Sequence, residues 1–377
     1  MKVSVLQENL AHGLNVVSRA VSPRSTLPVL ANILVATDGG RLRLSATNLE
    51  LGVTCWVGAK IEEEGSTTVP ARTFNDLVST LVSQQLDLSL TVRTQTLNVR
   101  SGASNTNIKC IDAQEFPPMP VIDTADGIQI SVSDLKEIIQ QVVFSASTDD
   151  ARPVLTGVLL KVDGRTITLS AADGFRLSKR SAELAAAVHQ PVSAIIPARA
   201  LSELARVAAD GNEMVTMQFP PDRNQVIFTM KDVQLVSQLI EGTYPNVDQV
   251  IPLRCDTRTV VSTAAFLKAC KQAEIFAREG NFIARLNVVP GNELSPGKVE
   301  ISGQSEETGF RQTDTAAPLD GPALLIACNV RFLREALEAV KTPNVVLETT
   351  VNTSPGVIKP AGETNFLHVI MPMHLAS

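Results

Sequence analysis

VPARTFNDL, residues 69–77, and IPARALSEL, residues 196–204, are one motif written twice, 127 residues apart. A third, fainter version, ACNVRFLREAL, occupies 327–337. Two further landmarks keep the same order. LRLSATN (42–48) returns as ITLSAAD (167–173) and VEISGQS (299–305), and LPVLANILV (27–35) returns as RPVLTGVLL (152–160). Each copy closes on a hydrophobic-Pro step, at Phe116-Pro117, Tyr244-Pro245 and Met371-Pro372. Landmarks recurring in one order at nearly constant spacing imply three copies of a unit of about 125 residues. The expected divisions are 1–123, 124–252 and 253–377, with linkers in the Pro-, Gly- and Asp-bearing stretches 119–127 and 248–257.

Within a copy the periodicity reads as an amphipathic helix, alternating strands, a second helix after the Pro-Ala-Arg step, and more strands. Leu135, Ile138, Ile139 and Val142 share one helical face, and Leu201, Leu204, Ala205 and Ala208 share another. TLNVRSG (96–102), RTITLSA (165–171) and NQVIFTM (224–230) alternate like strands with one wet face. The fold class is α+β, with helices laid on antiparallel sheets.

Composition excludes several function classes. The chain is 44% hydrophobic and 19% charged, and it has no apolar run near the ~18 residues that span a bilayer. Its N-terminus has no signal-peptide pattern and points to the cytoplasm. Cys55, Cys110, Cys255, Cys270 and Cys328 form no CxxC pair, and His12, His189, His368 and His374 form no metal-ligand spacing, so neither a metal nor any other cofactor is expected. No phosphate loop, nucleophile elbow or dinucleotide turn is present. Asp149, Asp150 and Asp173 are the carboxylates an enzyme reading would have to use.

The net charge of −6 is unevenly spread: the six helical windows hold eleven Lys or Arg against eight Asp or Glu. Arg19, Arg72, Lys136, Arg199, Arg206, Lys268, Lys271, Arg278, Arg331, Arg334 and Lys341 supply the cations. Helix surfaces carry such residues for solubility in any case. Repeats set around an axis would instead point equivalent helices at one basic surface, suited to a polyanion. The tail HVIMPMHL (368–375) is unusually apolar for a terminus, either as a strand packed on the body or as the wall of a site. Met371 and Met373 are adaptable enough for a promiscuous surface, Gly174 permits close backbone approach, and Arg176 offers a rigid fork.

RSTLPVLANILV, TNLEL, TTVPARTFNDL, AADGFRL, Tyr244-Pro245 and VIMPMHL, in this order along the whole chain, resemble the bacterial DNA polymerase III beta subunits, the replicative sliding clamps. The resemblance implies a DNA-clamp fold: three repeats forming half of a six-unit ring, closed head to tail by a second copy around duplex DNA. It implies a processivity factor rather than an enzyme. Its partners would be the polymerase III alpha subunit, the clamp loader, and other polymerases and repair proteins, with no membrane partner. A monomeric repeat scaffold that binds peptides without encircling DNA is the remaining rival.

Carried over by position, the resemblance assigns a groove for short apolar peptides to Leu155, Ala172, Gly174, Phe175, Arg176, Leu177, Pro245, Val250, Asn329, Val369, Ile370, Met371, Pro372, Met373, His374 and Leu375. Arg24 and Arg152 join Arg72, Lys136, Arg199, Arg206, Lys268, Lys271, Arg278, Arg331 and Arg334 as expected DNA-facing residues. The subunit boundary falls at Thr106 and Ile108 on one side and Ile275 and Phe276 on the other. His374 stands where the family usually has Arg, Phe175 where His is frequent, Ala172 where Thr is frequent, and Gln249 where Arg is frequent, which makes the groove less cationic. Pro153 and Val154 stand at positions that are aromatic in some members, so this loop has no aromatic ring there to stack on DNA.

Overall fold

The computed structural model describes residues 1–82, 84–120, 127–209, 213–221, 223–292, 296–305 and 307–373. His374 and Leu375 lie outside the described residues, as does most of the expected linker 119–127. Among the described residues are six α-helices: α1 (Gln7–Val17), α2 (Ala71–Thr80), α3 (Val132–Val142), α4 (Ala198–Val207), α5 (Thr263–Ala277) and α6 (Val330–Ala339). Each overlaps one of the six helical windows read from the sequence, 9–20, 71–83, 134–142, 198–209, 264–279 and 329–341.

The Pro-Ala-Arg step marks a strand-to-helix switch. Pro70 ends the strand Ser66–Pro70 and stands at the N-cap of α2, where its missing N–H leaves no helical bond unmade. α2 then buries Ala71, Phe74 and Val78 along one stripe. At the third copy Asn329 replaces the proline, and its Oδ1 accepts from the N–H groups of Arg331 (3.0 Å) and Phe332 (3.4 Å) to cap α6. α5 buries mainly small residues, among them Ala269, Ala273 and Ala277. It lies so close to the strand Lys298–Ser305 that a Cβ at Gly303 would stand 2.3 Å from the Ala273 carbonyl oxygen. Only glycine fits there.

The chain forms two compact units, Met1–Ser133 with Glu203–Leu239, and Asp134–Ser202 with Ile240–Ser377. The middle sequence copy is thus shared between them. In the first unit a 12-stranded antiparallel sheet is organised by the strand Leu51–Glu63. The first part of that strand runs between Arg41–Thr47 and Val233–Gln238, with Leu51 opposite Ser237, and its end pairs with Lys2–Leu6. In the second unit a nine-stranded sheet joins Arg176–Glu183 to Phe366–Ile370 in an equivalent way, with Arg176 opposite Ile370. A separate four-stranded sheet carries Ile283–Val289, Lys298–Ser305, Gly309–Ala316 and Leu324–Asn329.

The apolar tail is therefore a strand in the interior of a sheet. Beyond it, Met371 donates its N–H to the Phe175 carbonyl (2.9 Å) and Met373 to the Ala327 carbonyl (2.8 Å). The second bond recurs in every copy. Ile111 donates to Thr68 (3.1 Å) and Ile240 to Ile195 (2.9 Å), each time fastening the exit of the last strand to the strand that leads into the second helix. Tail and clasp satisfy backbone groups that burial would otherwise leave unpaired.

Candidate functional site

On one face of the nine-stranded sheet, Leu159, Ala172, Leu177, Ile195, Tyr244, Val247, Val357 and Val369 form a buried apolar cluster. Val154, Leu155, Ile240, Ile251 and Leu367 are half-buried against it. Period-two alternation chooses these members. Leu177 and Val369, opposite each other in the ladder, both face the cluster, while the next pair, Arg176 and Ile370, points through the sheet. Ile370 belongs to a different core, with Phe366 and Leu333.

Tyr244 anchors the floor. Its hydroxyl accepts the N–H of Ala172 (3.0 Å), and burial pushes its ionisation up to about 12, so it remains a neutral acceptor. Around the floor Phe175 is 61% exposed and Val250 41%, and Pro245 is exposed as well. Met371, Pro372 and Met373 are half-buried. Gly174, at φ +95°, turns the chain between Ala172 and Phe175 in a conformation that side chains resist. Asp173 Oδ1 accepts from the N–H groups of Phe175 (2.8 Å) and Arg176 (3.0 Å), which fixes the same turn. The result is an apolar floor with Phe175 and Val250 exposed on the segments that flank it.

Arg176 is held mainly by contacts within the fold. Its side chain is 9% exposed; Nε donates to Asp173 Oδ2 (3.0 Å), Nη1 donates to Glu335, and the guanidinium lies 4.2 Å from the Phe332 ring centroid. Two of the three guanidinium nitrogens are thus engaged inside the fold, which ties the turn at Asp173 to Glu335 on α6. Asn329 is likewise committed to its helix cap. Behind the sheet His368 is completely buried, hydrogen-bonded through Nδ1 to Ser178 Oγ (2.7 Å), which bonds Ser145 Oγ (2.8 Å). Burial, aided by nearby Arg176, holds its pKa down at about 3, so it is neutral. Tyr244, Val247, Leu159 and Val154 were missed by sequence reasoning. The Tyr244-Pro245 step and its three-residue spacing to Val247 were the available signal.

The expected cations divide into engaged and open ones. Arg334 is bound by Glu274 (2.6 Å), Glu338 (2.8 Å) and Glu335 (3.5 Å). Lys271 pairs with Glu338, Arg331 with Glu335, Arg206 with Glu203, Arg152 with Asp149, and Arg72 with Asp76 at 3.8 Å. Lys136 is half-buried on α3. Arg24, Arg199, Lys268 and Arg278 are exposed, with no ion pair among the described residues. Between α3 and α6 lies a cavity of about 330 Å³ lined by Glu137, Glu335, Glu338 and Lys341. That seam is mixed in charge, and the Lys341 ammonium, bonded to Glu137, holds this carboxyl below its usual range.

Thr106 and Ile108 lie on the strand Ser104–Lys109, which ends the first unit's sheet, and Ile275 is 58% exposed on α5 beside half-buried Phe276. Cys270 and Cys328 are buried, which leaves Cys255 as the exposed thiol. Among the described residues no helix is long and apolar enough to cross a membrane.

Family models for the DNA polymerase III beta subunit match the N-terminal domain over residues 1–120, the central domain over 129–246 and the C-terminal domain over 248–374. The chain belongs to this family. It is 33% identical to the beta sliding clamp of Synechococcus elongatus over 380 residues, covering both chains in full. It is 30% identical to the beta sliding clamp of Staphylococcus epidermidis, covering 99% of each. In three dimensions it is similar to the DNA polymerase sliding clamp of Bacillus subtilis, with TM-score 0.93, 28% identity and full coverage of both chains. It is also similar to the DNA polymerase sliding clamp of Pseudomonas aeruginosa, with TM-score 0.89, 26% identity and full coverage of both chains. Sliding clamps are non-enzymatic processivity factors of DNA replication, so Asp149, Asp150 and Asp173 need no catalytic role. Asp149 and Asp173 instead cap turns.

Proposed function

We propose that two copies of this chain close head to tail into a cytoplasmic ring of six repeats, with divisions near 123 and 252, that encircles duplex DNA and slides on it without reading sequence. The observation that carries this is a pair of unmatched edges. In the first two copies, Leu51–Glu63 and Arg176–Glu183 each pair with the last strand of the following copy, Val233–Gln238 and Phe366–Ile370. Their third-copy counterpart, Gly309–Ala316, ends its sheet, and the first-copy last strand, Ser104–Lys109, ends another. Each edge is the partner that the other lacks.

The internal registers, Leu51 opposite Ser237 and Arg176 opposite Ile370, transfer to Gly309 opposite Ile108 and Arg311 opposite Thr106 of the second copy. Two such contacts related by a twofold axis leave neither edge exposed. Exposed Ile275 on α5 and Phe310 on the edge strand supply apolar surface beside the seam. Arg24, Arg199, Lys268 and Arg278 provide diffuse, salt-screened attraction for phosphates, and a closed ring needs no more, because escape requires a seam to open.

The apolar face around Tyr244 takes a short apolar segment of the replicative polymerase alpha subunit, the clamp loader, or other polymerases and repair proteins. Tethering then raises the local concentration of the bound enzyme at the primer end. The test is retention on DNA: the loaded protein stays on a nicked circle and is lost when the circle is linearised. Equal retention on both forms contradicts encirclement.

A further inference from the structure

The cavity of about 330 Å³ between α3 and α6 is walled by acceptors at helical spacing. Glu137 and Gln141 stand one turn apart on α3, Glu335 and Glu338 stand on α6, and Phe144 and Ala339 add apolar wall. Gln141 is 3% exposed. Its Nε2 donates to the Ala339 carbonyl (3.1 Å), which can only accept and so fixes the orientation of the amide. Oε1 is left buried, with no hydrogen-bond partner among the described residues. Such an acceptor calls for a donor from outside the fold. Lys341 shows which kind of donor this wall takes: its ammonium, on a side chain 67% exposed, lies 2.9 Å from Glu137 Oε2. The carboxylates already meet cations of the fold, Glu137 through Arg180 (3.0 Å) and Glu338 through Lys271 (2.9 Å), and each oxygen has room to accept a further donor. A single metal ion is a poor match, because among the described residues no three His, Cys, Asp or Glu side chains are placed to hold one.

We propose that this cavity binds a linear polyamine, a molecule with two or more ammonium groups joined by short methylene chains. One ammonium donates to Gln141 Oε1 and a second takes the place of Lys341 on Glu137, while the methylenes lie against Phe144 and Ala339. Side chains one turn apart on a helix are about 5–6 Å from each other, and a four-carbon spacer holds two ammonium groups at a comparable distance. Lys341 is then released from Glu137, so binding adds positive charge where the empty seam is mixed. On the ring reading α3 and α6 line the DNA channel, and the bound polyamine supplies phosphate contacts that the sequence does not encode. Only that consequence rests on the ring reading; binding to the free chain does not.

Calorimetric titration of spermidine into the full chain, without DNA and at low ionic strength, is expected to show one saturable site per chain. Gln141→Leu alters no charge and removes the buried acceptor, so it should weaken binding about tenfold or more. Lys341→Met removes the tethered competitor at an exposed side chain, where folding is not at stake, and should strengthen binding about threefold or more. Lys60→Met deletes the same charge from an exposed position of the first unit and should leave affinity unchanged. Absence of a saturable site overturns the inference. So does undiminished binding by Gln141→Leu, or a gain from Lys341→Met no larger than that from Lys60→Met, since either reduces the effect to general attraction by an acidic chain. With no DNA in the cell, none of these outcomes bears on encirclement.

Discussion

Met371 gives its backbone N–H to the carbonyl of Phe175 at 2.9 Å, and the corresponding bond in the first unit runs from Gln238 to Glu50 at 2.8 Å. The tail thus continues a ladder that the repeat builds elsewhere with polar residues. What is special to the tail is its apolar character: Val369 is part of the Tyr244 floor, and half-buried Met371 and Met373 follow it at alternate positions. Removing residues 371–377 should abolish apolar peptide binding and leave the dimer intact, because neither proposed seam strand is touched. The cost in stability is roughly 1–3 kcal/mol, from the two backbone hydrogen bonds of Met371 and Met373. Sedimentation and peptide anisotropy on one preparation check both halves, and a monomer would show that the tail serves the assembly first.

Arg176 is a support of the rim. Replacing it with Met leaves Asp173 Oδ2 without its cation and Glu335 with only Arg331 and Arg334, with an expected loss of about 1–3 kcal/mol in urea unfolding of the second unit. Arg176→Lys should recover little of this, since an ammonium cannot span both carboxylates and stack on Phe332. Unchanged stability with weakened peptide binding would instead make Arg176 a ligand contact.

How far the sequence exposed these features depends on their range. Helix positions were legible because α2 and α6 each bury a stripe spaced by one turn, and the repeat was legible because strands facing a core tolerate few residue types. The tail's strand character followed from its apolar run. Its division between two faces did not: reading 369–373 as one wall ignored alternation, which sends Ile370 into the opposite core. The engagement of Arg176 was hidden because Glu335 lies 159 residues away, beyond any local pattern. The charge count on the helices was correct as composition, yet it could not reveal that Arg334 is encircled by three carboxylates.

His368 makes the second unit sensitive to acid. Its pKa is about 3 in the folded chain and 6.5 ordinarily, so below about pH 6.5 the unfolded chain binds a proton that the folded chain refuses. Its contribution is constant above that pH and is lost on acidification, at about 1.4 kcal/mol per pH unit down to about pH 3. The difference in urea midpoint between the native chain and His368→Gln, followed from pH 7 to pH 5, should change with this sign. Parallel curves would mean that His368 protonates without penalty.

The proposed seam has a register that can be read covalently. With Cys110 and Cys255 replaced by serine, Thr106→Cys and Arg311→Cys in one chain should form an intermolecular disulfide under mild oxidation. In the second unit the counterpart of this pair is Ser178 opposite His368, on the face that meets Phe144 and Ser145 just after α3, and Arg311 itself reaches Gln272 on α5. Positions of this kind, two residues along from Arg176 and Ile370, alternate with the hydrogen-bonded Met371 and Phe175, so they are the close, non-hydrogen-bonded kind in which Cα atoms approach to about 4.5 Å, within disulfide reach. Moving one cysteine to Gln312 turns its side chain to the other face and should abolish the cross-link. Cross-linking of Thr106→Cys with Gln312→Cys and not with Arg311→Cys would show that the subunits meet one residue out of the register that the repeat dictates.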